Sequence, residues 1–169
     1  MCLVTEYVSK DSRFPLFVQG DSLKVLRQFS DNSVDCCVTS PPYWKKRQYE
    51  NGGIGLEDTA QEYIDNLFEI IKEVKRVLKP SGAFWLNIGD SYHNKSLQGI
   101  PWRVALNMID DGWILRNDVI WNKRKGGLSP NTDRFGSVFE DFFFFGVVGL
   151  GSVGGISSSF LSIPNNVLN

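Results

Sequence analysis

Val34-Asp35-Cys36-Cys37-Val38-Thr39-Ser40-Pro41-Pro42-Tyr43-Trp44 is the stretch from which the fold can be read. Its first half is a short apolar run rich in valine and cysteine, the composition of a buried strand. The run stops at Thr39-Ser40, and two prolines follow at once. Pro41 drives Ser40 out of the helical region, and Pro42 does the same to Pro41. Neither proline has an N–H, so neither extends a sheet ladder. The expected result is a stiff extended elbow beyond the carboxyl end of a strand. In an open α/β sheet that is where ligands bind.

The elbow offers a hydroxyl, carbonyls with no adjacent amide donors, and two aromatic rings. These groups suit a nucleobase taken out of its stack. The exocyclic amine of cytosine or adenine is a poor nucleophile because its lone pair is delocalised into the ring. Acceptors on its two N–H bonds, for which Ser40 Oγ and the Pro41 carbonyl are candidates, would free that lone pair. Tyr43 offers a face for stacking the base, and a methyl on a sulfonium could then be displaced in line. A bare Ser-Pro-Pro-Tyr also occurs as a plain turn. Here it follows an apolar strand, adds Trp44, and precedes the basic run Lys45-Lys46-Arg47.

Upstream, residues 1–13 read as an N-terminal arm. Phe14 to Gln19 reads as a first strand and Ser22 to Phe29 as a short helix with Leu23, Leu26 and Phe29 inward. With the Val34 strand these would form a strand-helix-strand unit, the building block of a parallel sheet. Asp21 would lie at a strand's carboxyl edge, either accepting hydrogen bonds from the adenosine end of a cofactor or stabilising a helix dipole. Downstream, Trp44 to Asp58 is polar and reads as a loop over the site. Thr59-Ala60-Gln61-Glu62 is a capping box. It opens a helix that buries Tyr63, Leu67, Ile70, Ile71, Val74 and Leu78, and Pro80-Ser81-Gly82 ends it. Ala83 to Ile88 reads as a buried strand. Asn87 and Asp90 gather at its end, where they would hydrogen-bond a base, orient Ser40, or simply form a turn. Pro101 starts another helix, with Trp102, Ala105, Leu106 and Ile109 on its apolar side. Trp113 to Trp121 and Glu140 to Val148 read as strands. Between them, Lys123, Arg124 and Lys125 suit phosphate contact.

The 169 residues are read as one region, 42% hydrophobic with a net charge of −1. That composition builds a core and gives no bulk electrostatic argument for nucleic acid. Three cysteines lack metal or disulfide spacing, and the single histidine has no partners for a metal site. No stretch reads as a signal peptide or membrane span, so a cytoplasmic setting is expected.

Taken together, these pieces resemble the DNA amino-methyltransferases, which methylate cytosine N4 or adenine N6. Ser40-Pro41-Pro42-Tyr43 matches their catalytic motif. Gly20-Asp21-Ser22-Leu23, Leu78-Lys79-Pro80-Ser81-Gly82, Phe84 to Asp90, and Ile120-Trp121-Asn122-Lys123 with Lys125-Gly126-Gly127 follow in the family's order. The arrangement is similar to the permuted class, with its catalytic half first. The resemblance implies a Rossmann-like α/β fold with a mostly parallel sheet, here incomplete, spanning residues 14–148. It implies S-adenosyl-L-methionine as methyl donor, with Asp21 toward that cofactor. It implies double-stranded DNA as partner, in the manner of restriction-modification enzymes, with no metal. The catalytic set would be Ser40, Pro41, Pro42, Tyr43 and Asn87; Trp44, Lys45, Lys46, Asp90, Lys123 and Lys125 would face the substrate. Serine at the first motif position favours cytosine N4 over adenine N6. A cytosine-C5 mechanism is not expected, since it needs a cysteine nucleophile and both candidates precede the elbow within a strand.

After Phe145 the family pattern ends. Residues 149–169 read as a divergent tail rich in Gly, Ser and Asn. Gly149-x-Gly151-x-x-Gly154 matches a dinucleotide fingerprint, but no acidic residue follows it. The base-handling side of a site is therefore expected without most of the donor side. The alternative to an enzyme is a fragment or split subunit, inactive alone, that binds DNA beside a second chain supplying the glycine-rich donor motif.

Overall fold

The computed structural model of the protein describes residues 15–46, 53–124, 132–147 and 160–163. Its elements, in chain order, are α1 (Ser22–Leu26), β1 (Val34–Thr39), α2 (Ala60–Val77), β2 (Leu78–Ile88), the hairpin strands β3 (Tyr92–His93) and β4 (Ser96–Leu97), α3 (Ile100–Asp110), β5 (Ile114–Asn122), β6 (Phe139–Gly146) and β7 (Phe160–Ile163). One sheet takes five strands in the order β5-β6-β2-β1-β7. β1 is parallel to β2 and to β7, while β6 is antiparallel to both β2 and β5. The carboxyl ends of β1, β2 and β5 therefore share one edge with the beginning of β6.

Strand alternation builds the core. Phe84, Leu86 and Ile88 of β2 and Phe143 and Phe145 of β6 are fully buried, as is Cys37 of β1. They pack with Tyr63, Ile64, Leu67, Ile71 and Val74 of α2 and with Ile100, Val104 and Met108 of α3. Burial pushes the Cys37 thiol far above its usual range, as befits a small packing residue. The opposite alternation carries Trp85, stacked on Phe144 with ring centroids 4.4 Å apart.

The capping box forms as expected. Thr59 Oγ1 accepts from the Glu62 amide at 3.1 Å, and Glu62 Oε2 accepts from the Thr59 amide at 3.1 Å. β2 starts earlier than expected, at Leu78, directly where α2 ends. Pro80 and Ser81 do not break it, because they sit in an irregularity: Val34 pairs with Leu78, yet Cys36 pairs with Ala83. Gly82 allows that detour, since a Cβ there would lie 2.8 Å from the Lys79 carbonyl oxygen.

Three expectations are corrected. Residues 15–19 form no strand, and Phe17 is 90% exposed; Pro15 cannot donate to a ladder and Phe17 finds no core to enter. The outer neighbour of β1 is instead β7, drawn from the region read as a divergent tail, with Cys36 opposite Phe160 and Thr39 opposite Ile163. On α3 the buried side is Ile100, Pro101, Val104, Ala105 and Met108, whereas Trp102, Leu106 and Ile109 are exposed. Both sets have helical spacing, and packing against α2 and β5 chose the first, while Trp102 keeps only an edge contact with Phe143 at 5.3 Å between ring centroids. Phe14, Val148 and the Gly149 to Gly154 run lie outside the described residues.

Candidate active site

The elbow stands beyond β1 as the sequence predicts, and three neighbours hold it. Tyr63 Oη on α2 donates to the Pro42 carbonyl at 2.9 Å. Burial, then the nearby Glu57 and Tyr43 charges, push the Tyr63 phenol far above its ordinary range, so it remains a donor. Trp44, expected at the substrate, is instead 1% exposed, with Nε1 donating to the Glu57 carbonyl at 2.9 Å. Ser91 Oγ donates to the Trp44 carbonyl at 2.5 Å. Trp44 thus braces the elbow from inside the core, because a large ring next to an apolar strand gains more from burial than from exposure. The loop's described ends are tied together as well: the Lys45 amide donates to the Gly55 carbonyl at 2.8 Å.

Five side chains converge at the sheet edge. Ser40 Oγ lies 3.3 Å from Tyr43 Oη. Tyr43 Oη donates to Glu140 Oε2 at 2.7 Å. Asn87 Nδ2 reaches Glu140 Oε2 at 3.0 Å, Tyr43 Oη at 3.3 Å and Ser40 Oγ at 3.5 Å. Lys123 Nζ pairs with Glu140 Oε1 at 2.7 Å. Burial alone would raise the Glu140 carboxyl, but hydrogen bonds from Lys123, Tyr43 and Asn87 and the Lys123 charge outweigh it and hold the carboxyl below its usual range. The Tyr43 ring lies on the backbone of Gly89, where a Cβ would sit 2.7 Å from Cε2 and 2.9 Å from Cδ2.

The structure therefore brings together Ser40, Tyr43, Asn87 and Lys123 of the expected residues and adds Glu140, which the sequence reading passed over as the first residue of an apolar strand. Pro41 and Pro42 are buried and shape the elbow. Lys45 and Lys46 are exposed beside it, with Lys45 Nζ 3.1 Å from the Asp58 carbonyl and 4.6 Å from the Trp44 ring centroid. Asp90 is not turned toward the cluster. Its carboxylate accepts the Ser91, Gly99 and Ile100 amides at 2.8, 2.8 and 3.1 Å and so caps the start of α3. Asp21 is the N-cap of α1 and accepts the Lys24 amide at 2.9 Å. Lys125 lies outside the described residues.

A small apolar cavity of about 20 Å³, room for roughly one water molecule, lies between α2 and the sheet behind the elbow, lined by Ser22, Thr39, Pro41, Ile54, Leu67 and Phe84 among others. Ser22 Oγ is buried there with no hydrogen-bond partner. That volume is far below the roughly 300–1,000 Å³ of a small-molecule site, so the cavity is a packing void and holds no nucleoside-sized ligand. Among the described residues no group of three or more His, Cys, Asp or Glu could hold a metal, and no helix is long and apolar enough to cross a membrane.

Comparison with known proteins agrees with this geometry. The DNA methylase family of N6/N4 methyltransferases matches residues 34–147. The type II methyltransferase M.SfiI of Streptomyces fimbriatus is 41% identical over 148 residues, covering 77% of this chain and 35% of the relative. M.MwoI of Methanothermobacter wolfeii, also a type II methyltransferase, is 44% identical over 132 residues, covering 75% of this chain and 20% of the relative. Among solved structures, the PvuII DNA methyltransferase (cytosine-N4-specific) superposes with a TM-score of 0.66 at 27% identity, covering 89% of this chain and 57% of that one. The chain thus spans only a fifth to about a third of those two relatives' length.

Proposed function

We propose, from the premise that this chain belongs to the DNA methylase family, that it carries the base-handling part of a DNA N-methyltransferase. The observation that carries this reading is the cluster of Ser40, Tyr43, Asn87 and Glu140 at the carboxyl edge of two parallel strands. The substrate is the exocyclic amine of a flipped base. Ser40 Oγ and the Pro41 carbonyl accept its N–H bonds, and Tyr43, fixed by its hydroxyl and by Gly89, is the stacking ring. Cytosine N4 is preferred over adenine N6, a preference supported by serine at the head of the motif and by likeness to an N4-specific enzyme. The exposed Lys45 and Lys46 contact phosphate.

S-adenosyl-L-methionine supplies an electrophilic methyl group. Of this chain's residues, Asp21 would serve its adenosine end. The protein's own contribution is to fix the amine, exclude water and expose a nitrogen lone pair.

The alternative reading is a subunit that handles the base only when another polypeptide completes the donor side. Calorimetry with S-adenosyl-L-methionine, followed by transfer of labelled methyl to double-stranded DNA and identification of the modified base, separates the two. N4-methylcytosine formation by the chain alone supports the first. Absence of donor binding, restored by a co-expressed partner, supports the second. In either active form Tyr43→Ala should cost about 1–3 kcal/mol of base stacking.

A further inference from the structure

We propose that Glu140 is the positioning residue that makes Ser40 a hydrogen-bond acceptor; this rests on the methyl-transfer reading above. A phenol has one proton. Tyr43 Oη gives it to Glu140 Oε2 at 2.7 Å, the shortest hydrogen bond that either tyrosine or serine makes in the cluster. The ionised carboxylate can only accept, and its other oxygen is held by Lys123 at 2.7 Å. With that proton committed, Tyr43 Oη faces Ser40 as an acceptor. The Ser40 proton therefore points at Tyr43 across 3.3 Å. Asn87 Nδ2, a donor, approaches Glu140 at 3.0 Å and Tyr43 Oη at 3.3 Å, which suits a Tyr43 oxygen that accepts on its Ser40 side.

The consequence falls on the substrate. Ser40 cannot turn its proton toward an incoming amine without losing its partner, so it offers lone pairs. An amine N–H is thereby accepted rather than opposed by a second donor. Were Glu140 neutral, Tyr43 could reverse and Ser40 would be free to present a proton to the nitrogen. The charge that sets the direction sits two hydrogen bonds from Ser40 Oγ and three from the reacting nitrogen, so Glu140 acts through Tyr43 and Ser40 without touching the substrate.

The test has two arms. The first is nuclear magnetic resonance of the full 169-residue chain labelled with carbon-13 at the tyrosine Cζ, with neither donor nor DNA. The Tyr43 signal should step as Glu140 takes a proton, at a pH below the ordinary carboxylate range. Glu140→Gln should abolish that step while leaving the tyrosines remote from the cluster in place. A Tyr43 signal indifferent to pH in that range overturns the proposal, and the wild-type titration alone decides this even if the variant does not fold. The second arm is kinetic, on whichever form transfers methyl. Glu140→Gln should lower kcat about 10- to 100-fold with KM for DNA unchanged within about twofold. Tyr43→Phe, which keeps the ring and removes the middle of the chain of hydrogen bonds, should lose kcat to a similar extent. An unchanged kcat in either variant overturns the proposal. Absence of methyl transfer by every form tested defeats the parent reading instead, and the titration still judges the hydrogen-bond direction.

Discussion

Gly89→Ala tests the placement of Tyr43 more directly than any change to Tyr43 itself. The new Cβ would lie 2.7 Å from Tyr43 Cε2, 2.9 Å from Cδ2 and 3.3 Å from Cζ. Comfortable carbon–carbon contact begins near ~3.5 Å, so the ring must withdraw by about 0.8 Å. Its hydroxyl now sits 3.3 Å from Ser40 Oγ and 3.3 Å from Asn87 Nδ2. A displacement of that size carries both contacts to the limit of a hydrogen bond or past it. Gly89 has no left-handed φ, so backbone strain does not confuse the result. Overpacking of this kind costs about 1–3 kcal/mol. Urea denaturation reads the cost, and the Tyr43 Cζ resonance reads the displacement. Gly136→Ala is the control: a Cβ there meets nothing within 4 Å, and the loss of unfolded-state freedom should leave stability unchanged or raised by up to ~1 kcal/mol. If Gly89→Ala behaves like that control and leaves the Tyr43 resonance in place, the ring does not lie on Gly89 and the geometry assigned to the site is wrong.

Tyr63→Phe removes the donor to the Pro42 carbonyl and leaves that oxygen buried, which should cost about 1–3 kcal/mol in a urea titration and slow any methyl transfer. Thr59→Ala breaks the capping box of α2 and should lower stability by about 1 kcal/mol, with no effect on the Tyr43 resonance. Burial, then the Asp118 and Asp90 charges, push the Asp141 carboxyl from its ordinary 3.8 up to about 6. A raised folded value means the native state holds that proton more tightly than the unfolded chain, so wild-type stability falls as pH rises from about 4 to 6. Asp141→Asn should therefore be more stable than wild type by roughly 1–3 kcal/mol at pH 7 and no different near pH 4, as read from unfolding midpoints at the two values.

Much of the fold is legible in the sequence because its signals are local. The β1 run ends at two prolines, and Thr59 with Glu62 marks a helix start whatever surrounds it. What was not legible depended on distant partners. Val104 and Met108 compete with Trp102 and Leu106 for the inward side of α3, and both pairs have helical spacing; only the docking of α3 on α2 and β5 decides. Phe160 to Ile163 carries no strong strand signature, and becomes a strand by pairing with the open side of β1. Asp90 followed a strand end just as a binding residue would, yet the start of α3 ten residues later claims both its oxygens.

Glu140 was overlooked for a reason that also explains how the site works. It opens a run of apolar residues, and a carboxylate at a strand's beginning reads as the place where burial ends. The structure gives that position a direction. On β2, Phe84, Leu86 and Ile88 face the helices, so Trp85 and Asn87 face the other way; on β6, Asp141, Phe143 and Phe145 are buried, so Glu140, Phe142 and Phe144 share the face of Asn87. Asn87 pairs with Phe142 and therefore meets Glu140 diagonally, at the distance where cross-strand polar pairs interact. Lys123, one residue beyond β5, stands in the same relation to Glu140 from the other side, since Trp121 is the residue directly opposite Glu140. Ser40, Asn87, Glu140 and Lys123 thus form a row that follows the strand order β1-β2-β6-β5 across one face of the sheet. The helices and the buried Phe84, Phe143 and Phe145 occupy the other face. Side chains in the row can be exchanged for isosteres without opening a cavity beneath α2 or α3, so a loss of turnover in Glu140→Gln or Ser40→Ala with an unchanged unfolding midpoint reports on the chemistry of the row and not on the integrity of the core.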